Sequence, residues 1–173
     1  MQESPPAINF DSWSFLLKDN SEVVFEWNNV QNLEAGCKTL SKAFYGYSAE
    51  FDSKEIKDDN FVTVTKNGFI IGFVIFSQKD ELNEKKFAED EKYLKLIIVH
   101  PDFQKQGLAG QLTFSILRPF PNTKKIYLVT ERNNPYAAKY FEELGFKLLQ
   151  PGTLLNDLGL TLPFCWTNPN FSI

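Results

Sequence analysis

Histidine, cysteine and methionine are nearly absent from these 173 residues: His100 stands alone, Cys37 and Cys165 are the only cysteines, and there is one methionine. Two distant cysteines make no disulfide framework, and beside a lone histidine they make no convincing zinc site. No metal is expected, and a reduced, cytoplasmic setting is. No apolar run approaches the ~20 residues that a membrane helix needs, so no membrane partner is expected. The opening MQESPPAINF has no basic region followed by an apolar one, which argues against a secretory signal. Positive charge is not in excess either. The formal charge of −4 argues against nucleic acid and tilts the expectation toward cationic partners.

What the chain does have is phenylalanine, 17 of them on an ordinary charged background. Composition and length suit one globular domain with a real core, spanning 1–173, with residues 1–9 as a loose tail. Ser12 to Leu17 and Glu22 to Trp27 read as strands around the turn Lys18-Asp19-Asn20-Ser21. Val30, Leu33, Cys37, Leu40 and Phe44 recur three and four apart, the apolar face of a helix, with Cys37 as core. Tyr47 to Phe51 reads as a further short turn or helix. Phe61–Thr65, Asn67-Gly68 and Phe69–Phe76 read as a hairpin with a two-residue turn. Gln78 to Lys92 carries both signs of charge and reads as a solvated loop. Phe146 to Leu149 is a short strand, Gly152 to Leu160 a loop, and Thr161 to Thr167 the last strand.

The organising stretch runs from Leu94 to Leu117. Leu94 to Val99 is an apolar run rich in β-branched residues and reads as a buried central strand. Pro101 has no N–H for a ladder, so the strand stops near His100. Gln104-Lys105-Gln106-Gly107-Leu108-Ala109-Gly110 follows. Then Leu108, Leu112 and Ile116 recur every four residues, predicting a helix that Pro119 ends. Unpartnered N–H groups at a helix start suit an anion, and small residues let it approach the backbone. A phosphate would fit there. Gln104-x-x-Gly107-x-Ala109 after Val99-x-Pro101 resembles the pyrophosphate motif of the GNAT superfamily of N-acyltransferases, usually Arg/Gln-x-x-Gly-x-Gly/Ala. No Gly-Lys-Ser/Thr follows, and three spaced glycines are missing, so neither a Walker A loop nor a Rossmann fingerprint fits.

A second stretch, Asn134 to Phe146, follows the strand Ile126 to Val129. Asn134 can cap a helix, Pro135 suits its first position and Gly145 the position past its end, with Ala137, Phe141 and Leu144 facing inward. It is similar to the same family's Asn-x-x-Ala-x-x-x-Tyr-x-x-x-Gly-Phe, with Asn134, Ala137, Gly145 and Phe146 in register.

The resemblance implies an α/β fold with a mixed, mostly antiparallel sheet. That sheet would splay between Leu94–Val99 and Ile126–Val129, with helices on both faces. It also implies acetyl-CoA as acyl donor. The pyrophosphate would rest on backbone N–H groups of Gln106, Gly107, Leu108, Ala109, Gly110 and Gln111, with Gln104 opening the loop and Lys105 adding charge. Ile97, Ile98 and Val99 would pair with the pantetheine amides as one strand pairs with another. Asn134 would bond near the pantetheine, and Phe141 would pack against the thioester end. The acceptor would be an amine, on a small molecule or a protein, and the protein a monomer or homodimer.

The reaction implied is attack of a neutral amine on the thioester. It needs a base, a donor for the carbonyl oxygen and a proton for the thiolate. The family's usual acid is the tyrosine four residues before Gly-Phe, and here that position is Phe141. Three readings stay open. Water or another hydroxyl protonates the thiolate, Tyr140 does so from a shifted helix, or the protein binds CoA with little turnover as a sensor or scaffold. Glu131 is the candidate base, weighed against a solvated carboxylate. His100 is a weaker one, at the turn into the loop. Tyr45 and Tyr47 are open as acceptor-wall residues; Phe164, Cys165 and Trp166 could border the acceptor site, but core packing is the favoured reading for them.

Overall fold

Alternation of apolar residues builds most of the sheet, and the turns between its strands carry the residues that turns require. In the computed structural model, residues 12–45, 59–79, 86–150, 154 and 160–171 are described, with 41–45 as backbone only. The 1–9 tail, Tyr47–Phe51 and most of Gly152–Leu160 lie outside the described residues. The elements are β1 (Ser12–Leu16), β2 (Glu22–Trp27), α1 (Val30–Tyr45), β3 (Asn60–Lys66) and β4 (Phe69–Ser77). They continue with β5 (Glu91–Val99), α2 (Leu108–Thr113), β6 (Lys125–Glu131), α3 (Pro135–Glu143), β7 (Lys147–Leu148) and β8 (Thr161–Thr167). The strands form one sheet in the order β1-β2-β3-β4-β5-β6-β8-β7. Only β5 and β6 are parallel; every other pair is antiparallel. Asn67 and Gly68 both take positive φ, 51° and 80°, as a two-residue hairpin turn between β3 and β4 demands.

Helices cover both faces. Leu33 and Leu40 of α1 bury against Phe61, Phe73, Ile75 and Ile98, with Cys37 packed beside them. The opposite face of the same strands, through Val62, Val64, Val74 and Phe76, meets Leu108, Leu112 and Ile116. Alternation along β4 sends neighbouring residues to the two cores.

Three expectations need correction. The helix expected to run to Pro119 is α-helical only to Thr113, then tightens into a 3-10 turn at Ser115–Leu117. Hydroxyls explain the break: Thr113 Oγ1 donates to the Ala109 carbonyl at 2.7 Å and Ser115 Oγ to the Leu112 carbonyl at 2.6 Å. Such back-bonds compete with the regular helix ladder. Leu108, Leu112 and Ile116 stay buried all the same. The charged run also ends sooner than read, because Glu91 and Lys92 open β5. Lys92 is only 4% exposed. Its ammonium donates to the Glu89 carbonyl at 2.7 Å and to Gln78 Oε1 at 3.4 Å, and lies 4.7 Å from the Phe120 ring centroid. Burial pushes its pKa below the ordinary lysine value. Finally, Phe146–Leu149 shrinks to two paired residues, Lys147 and Leu148, on a sheet edge.

Candidate functional site

The central strands part company. β5 and β6 pair at Glu91–Lys125, Lys92–Ile126 and Tyr93–Tyr127, and nowhere beyond. Yet β5 runs on to Val99 and β6 to Glu131. Both keep their outer partners, β4 and β8. A wedge therefore opens in the sheet above Tyr93 and Tyr127. Among the described residues no strand pairs the β5 edge through Ile97, Ile98 and Val99. The register of β4 on β5 also slips, since Ile75 faces Leu96 and Phe76 faces Leu94, leaving Lys95 as an extra residue. Such a bulge bends the strand and increases its twist. Leu96 is 39% exposed, so the apolar run is not the uniformly buried strand that its composition suggests.

At the top of β5 the chain turns into α2. His100 Nδ1 accepts the Asp102 N–H at 3.1 Å, and Gln104 Nε2 donates to the Val99 carbonyl at 3.1 Å. Gln104 thus braces the turn from inside. Lys105 takes φ 64° and Gly107 φ 85°. Positive φ is uncommon outside glycine, so Lys105 is a strained position in this loop. A Cβ on Gly107 would meet nothing closer than Phe15 at 3.9 Å, which leaves the outer side of the turn open. A groove of about 370 Å³ runs from this turn along α2, between Gly107, Gly110 and Tyr140, to Trp13 and Arg118. Arg118 closes its far end, its guanidinium 4.3 Å from the Trp13 ring centroid.

The third wall is α3. Asn134 Oδ1 accepts the Ala137 N–H at 3.2 Å, and Pro135 takes the first position. Gly145 has φ 101°, and the Phe146 N–H reaches the Phe141 carbonyl at 3.0 Å, so the helix stops where its glycine predicts. Phe141 is 7% exposed and packs edge-on to Phe146 and Tyr140. Tyr140 points elsewhere. Its hydroxyl lies against the first turn of α2, 3.6 Å from the position a Cβ on Gly110 would take. Burial raises its pKa above the ordinary phenol value; the Gly110 N–H partly offsets this.

Residues 27–146 match the Acetyltransferase (GNAT) family. That range includes both motifs and is well over half of the chain.

The chain belongs to the GNAT acetyltransferase family.

Solved structures agree on the fold. The GNAT domain of a Streptomyces lividans protein, PAT, superposes with a TM-score of 0.70 at 14% identity, covering 96% of this chain and 100% of that one. The ribosomal-protein-S18-alanine N-acetyltransferase of Escherichia coli gives 0.61 at 18% identity, covering 87% and 99%. The PaiA N-acetyltransferase of Thermoplasma acidophilum, solved with coenzyme A, gives 0.56 at 12% identity, covering 83% and 99%. No curated protein matches the chain in sequence. The protein is a GNAT N-acetyltransferase family enzyme, and its sheet is the mixed, splayed one of that fold.

Other residues singled out in this GNAT sequence scatter. Glu131 ends β6, exposed, opposite Thr161 of β8 and four residues beyond the last β5–β6 pair. His100 is committed to the loop through Nδ1. Phe164 is fully buried and Cys165 nearly so, its thiol pKa raised by burial. Trp166 packs on Phe114. The side chain of Tyr45 and all of Tyr47 lie outside the described residues. No group of three or more possible metal ligands gathers among the described residues. No helix there is long and apolar enough to cross a membrane.

Sequence reasoning missed two side-chain pairs made by residues of β5. Lys95, the bulge residue, meets Asp59 at 3.4 Å, and the Asp59 side chain is buried. Separately, Tyr127 donates to Glu91 Oε2 at 3.0 Å, and burial followed by that carboxylate raises the tyrosine pKa well above its ordinary value. Neither pair has a local signature: Lys95 and Asp59 are 36 residues apart, as are Tyr127 and Glu91.

Proposed function

We propose that this chain, as one domain across 1–173, moves an acetyl group from acetyl-CoA to a primary amine by direct attack in a ternary complex. The observation that carries the reading is the wedge. β5 offers an unpaired edge that leads into a turn with open space over Gly107. A pantetheine arm is a chain of amides and can pair with Ile97, Ile98 and Val99 as a strand would. A diphosphate suits the backbone N–H groups of Gln106 to Gln111, with Lys105 at its side. Asn134 keeps its amide N–H groups for the arm while its oxygen caps α3. In the reaction the amine nitrogen bonds the acetyl carbon, the C–S bond breaks, the amine gives up one proton and the thiolate takes one. The test is thiol release from acetyl-CoA over a panel of amines.

Phe141 favours a second reading, a CoA-binding module with little turnover. Its ring has no proton to give and is packed into the core. A CoA thiol is a fair leaving group, so we favour turnover with water or another hydroxyl supplying the proton. Tyr140, turned toward α2, is then no acid. Tyr140→Phe should cost less than about tenfold in kcat, or 1.4 kcal/mol of barrier. Phe141→Tyr should leave turnover unchanged or raise it. A loss of several hundredfold in Tyr140→Phe with acetyl-CoA affinity kept would make Tyr140 the acid. Binding of acetyl-CoA without thiol release from any amine would establish the module instead.

The acidic balance of the chain and Glu131 at the wedge's upper rim favour a cationic acceptor. Rate should rise with pH until the amine or its base is deprotonated. Steering by exposed charge is screened within about 8 Å at physiological salt. So kcat/KM for the amine should fall as salt rises, with acetyl-CoA affinity changing less. Glu131→Gln should lower kcat/KM severalfold and spare CoA binding. Wild-type behaviour of that variant across pH would reduce Glu131 to a solvated carboxylate.

A further inference from the structure

We propose that the Thr130 hydroxyl is a side-chain ligand of the acyl donor's pantetheine arm, bonding one of its amides inside the wedge. The inference rests on the donor reading given above. β6 sends Ile126, Leu128 and Thr130 to the face that α2 and α3 cover, and the first two are core residues. Thr130 is 6% exposed, and its Oγ1 has no hydrogen-bond partner among the described residues. A buried hydroxyl without a partner has lost its bonds to water and gained none in return. Valine has the same shape and equal liking for strands, and would avoid that cost. The hydroxyl therefore calls for a partner outside the folded chain.

Its place in the sheet says which partner. The last β5–β6 pair is Tyr93–Tyr127. Extending that register by three residues sets Thr130 across from Leu96, beside the unpaired β5 edge. An extended ligand lying along Ile97 to Val99 bonds that edge on one side and leaves amide groups facing β6 on the other. Thr130 stands on that second wall, four residues before Asn134. Oγ1 itself is sealed from solvent here, so the bond requires rotation about Cα–Cβ, which moves the hydroxyl to another staggered position without backbone movement. A hydroxyl both donates and accepts, and so serves either an amide carbonyl or an amide N–H.

The test compares two ligands that differ in the arm. Calorimetry with Thr130→Val should show acetyl-CoA bound about fivefold more weakly. Adenosine 3′,5′-bisphosphate, which lacks the arm, should bind as in wild type. The variant's Tm should hold or rise, because the lost hydroxyl had no partner among the described residues. Thr130→Ser should keep wild-type affinity. Thr161→Val is the control: its hydroxyl is also unpartnered, but it shares the other face with Pro163 and Cys165. It should leave both affinities unchanged. Unchanged acetyl-CoA affinity in Thr130→Val overturns the proposal, as does equal weakening of both ligands or a lowered Tm. Failure of the wild-type protein to bind acetyl-CoA would instead overturn the donor reading itself.

Discussion

Gly72→Val should cost about 3 kcal/mol of folding stability or more. Gly72 lies in β4 opposite Val99. A Cβ there would stand 2.9 Å from the Ile98 carbonyl oxygen, 3.1 Å from Val64 Cγ1 and 3.5 Å from Leu112 Cδ1. The first of these is backbone and cannot swing away. Valine adds two methyl groups in the same space. Relief would require β4 to move from β5, or α2 to lift off the sheet. Gly68→Ala is the natural contrast. Gly68 has positive φ but open space around it, so the loss there should be only about 1 kcal/mol, from backbone strain. Urea denaturation measures both. A Gly72→Val protein within 1 kcal/mol of wild type would mean that the β4–β5 contact yields easily.

Gly107→Val should weaken acetyl-CoA binding at least tenfold, about 1.4 kcal/mol. Two effects act together. The φ of 85° suits glycine and strains any branched residue. The branched side chain would also stand on the open side of the turn, where we place the diphosphate. The fold should survive, because only Phe15 comes near, at 3.9 Å. Calorimetry and a melting curve taken together separate the two consequences. Unchanged affinity in a folded variant would sink this placement of the diphosphate.

Local chemistry made much of this architecture readable. Asn134, Pro135 and Gly145 act where their own backbone preferences put them, so α3 was legible to the residue. The Asn67-Gly68 turn and the alternation of β3 and β4 were equally local. The wedge was expected only through family resemblance, since periodicity along two strands says nothing about where they stop pairing. The bulge at Lys95 was hidden for the same reason: it is a property of the β4–β5 register, invisible in either strand alone. Lys92 misled because its charge suggested solvent. Its partners, the Glu89 carbonyl, Gln78 and Phe120, meet it only in the folded chain. The break in α2 was signalled weakly by Thr113 and Ser115, whose hydroxyls a pattern of leucines overrides on paper. The roles of Tyr140 and Phe141 turn on which way two adjacent rings point, and a helical wheel gives the angle but not the neighbours.

Three parallel residue pairs have a mechanical meaning. Among the described residues they are the only strand pairs between a five-stranded plate, β1 to β5, and a three-stranded one made of β6, β8 and β7. Helices and loops tie the plates together elsewhere, but across the sheet itself the seam is short. Short seams are where sub-global opening is cheapest, and amides along them exchange with solvent first. A ligand that bonded both plates would act as added rungs, stiffening the joint in proportion to its occupancy. In this protein, then, the acyl donor would be a component of the sheet as well as a substrate.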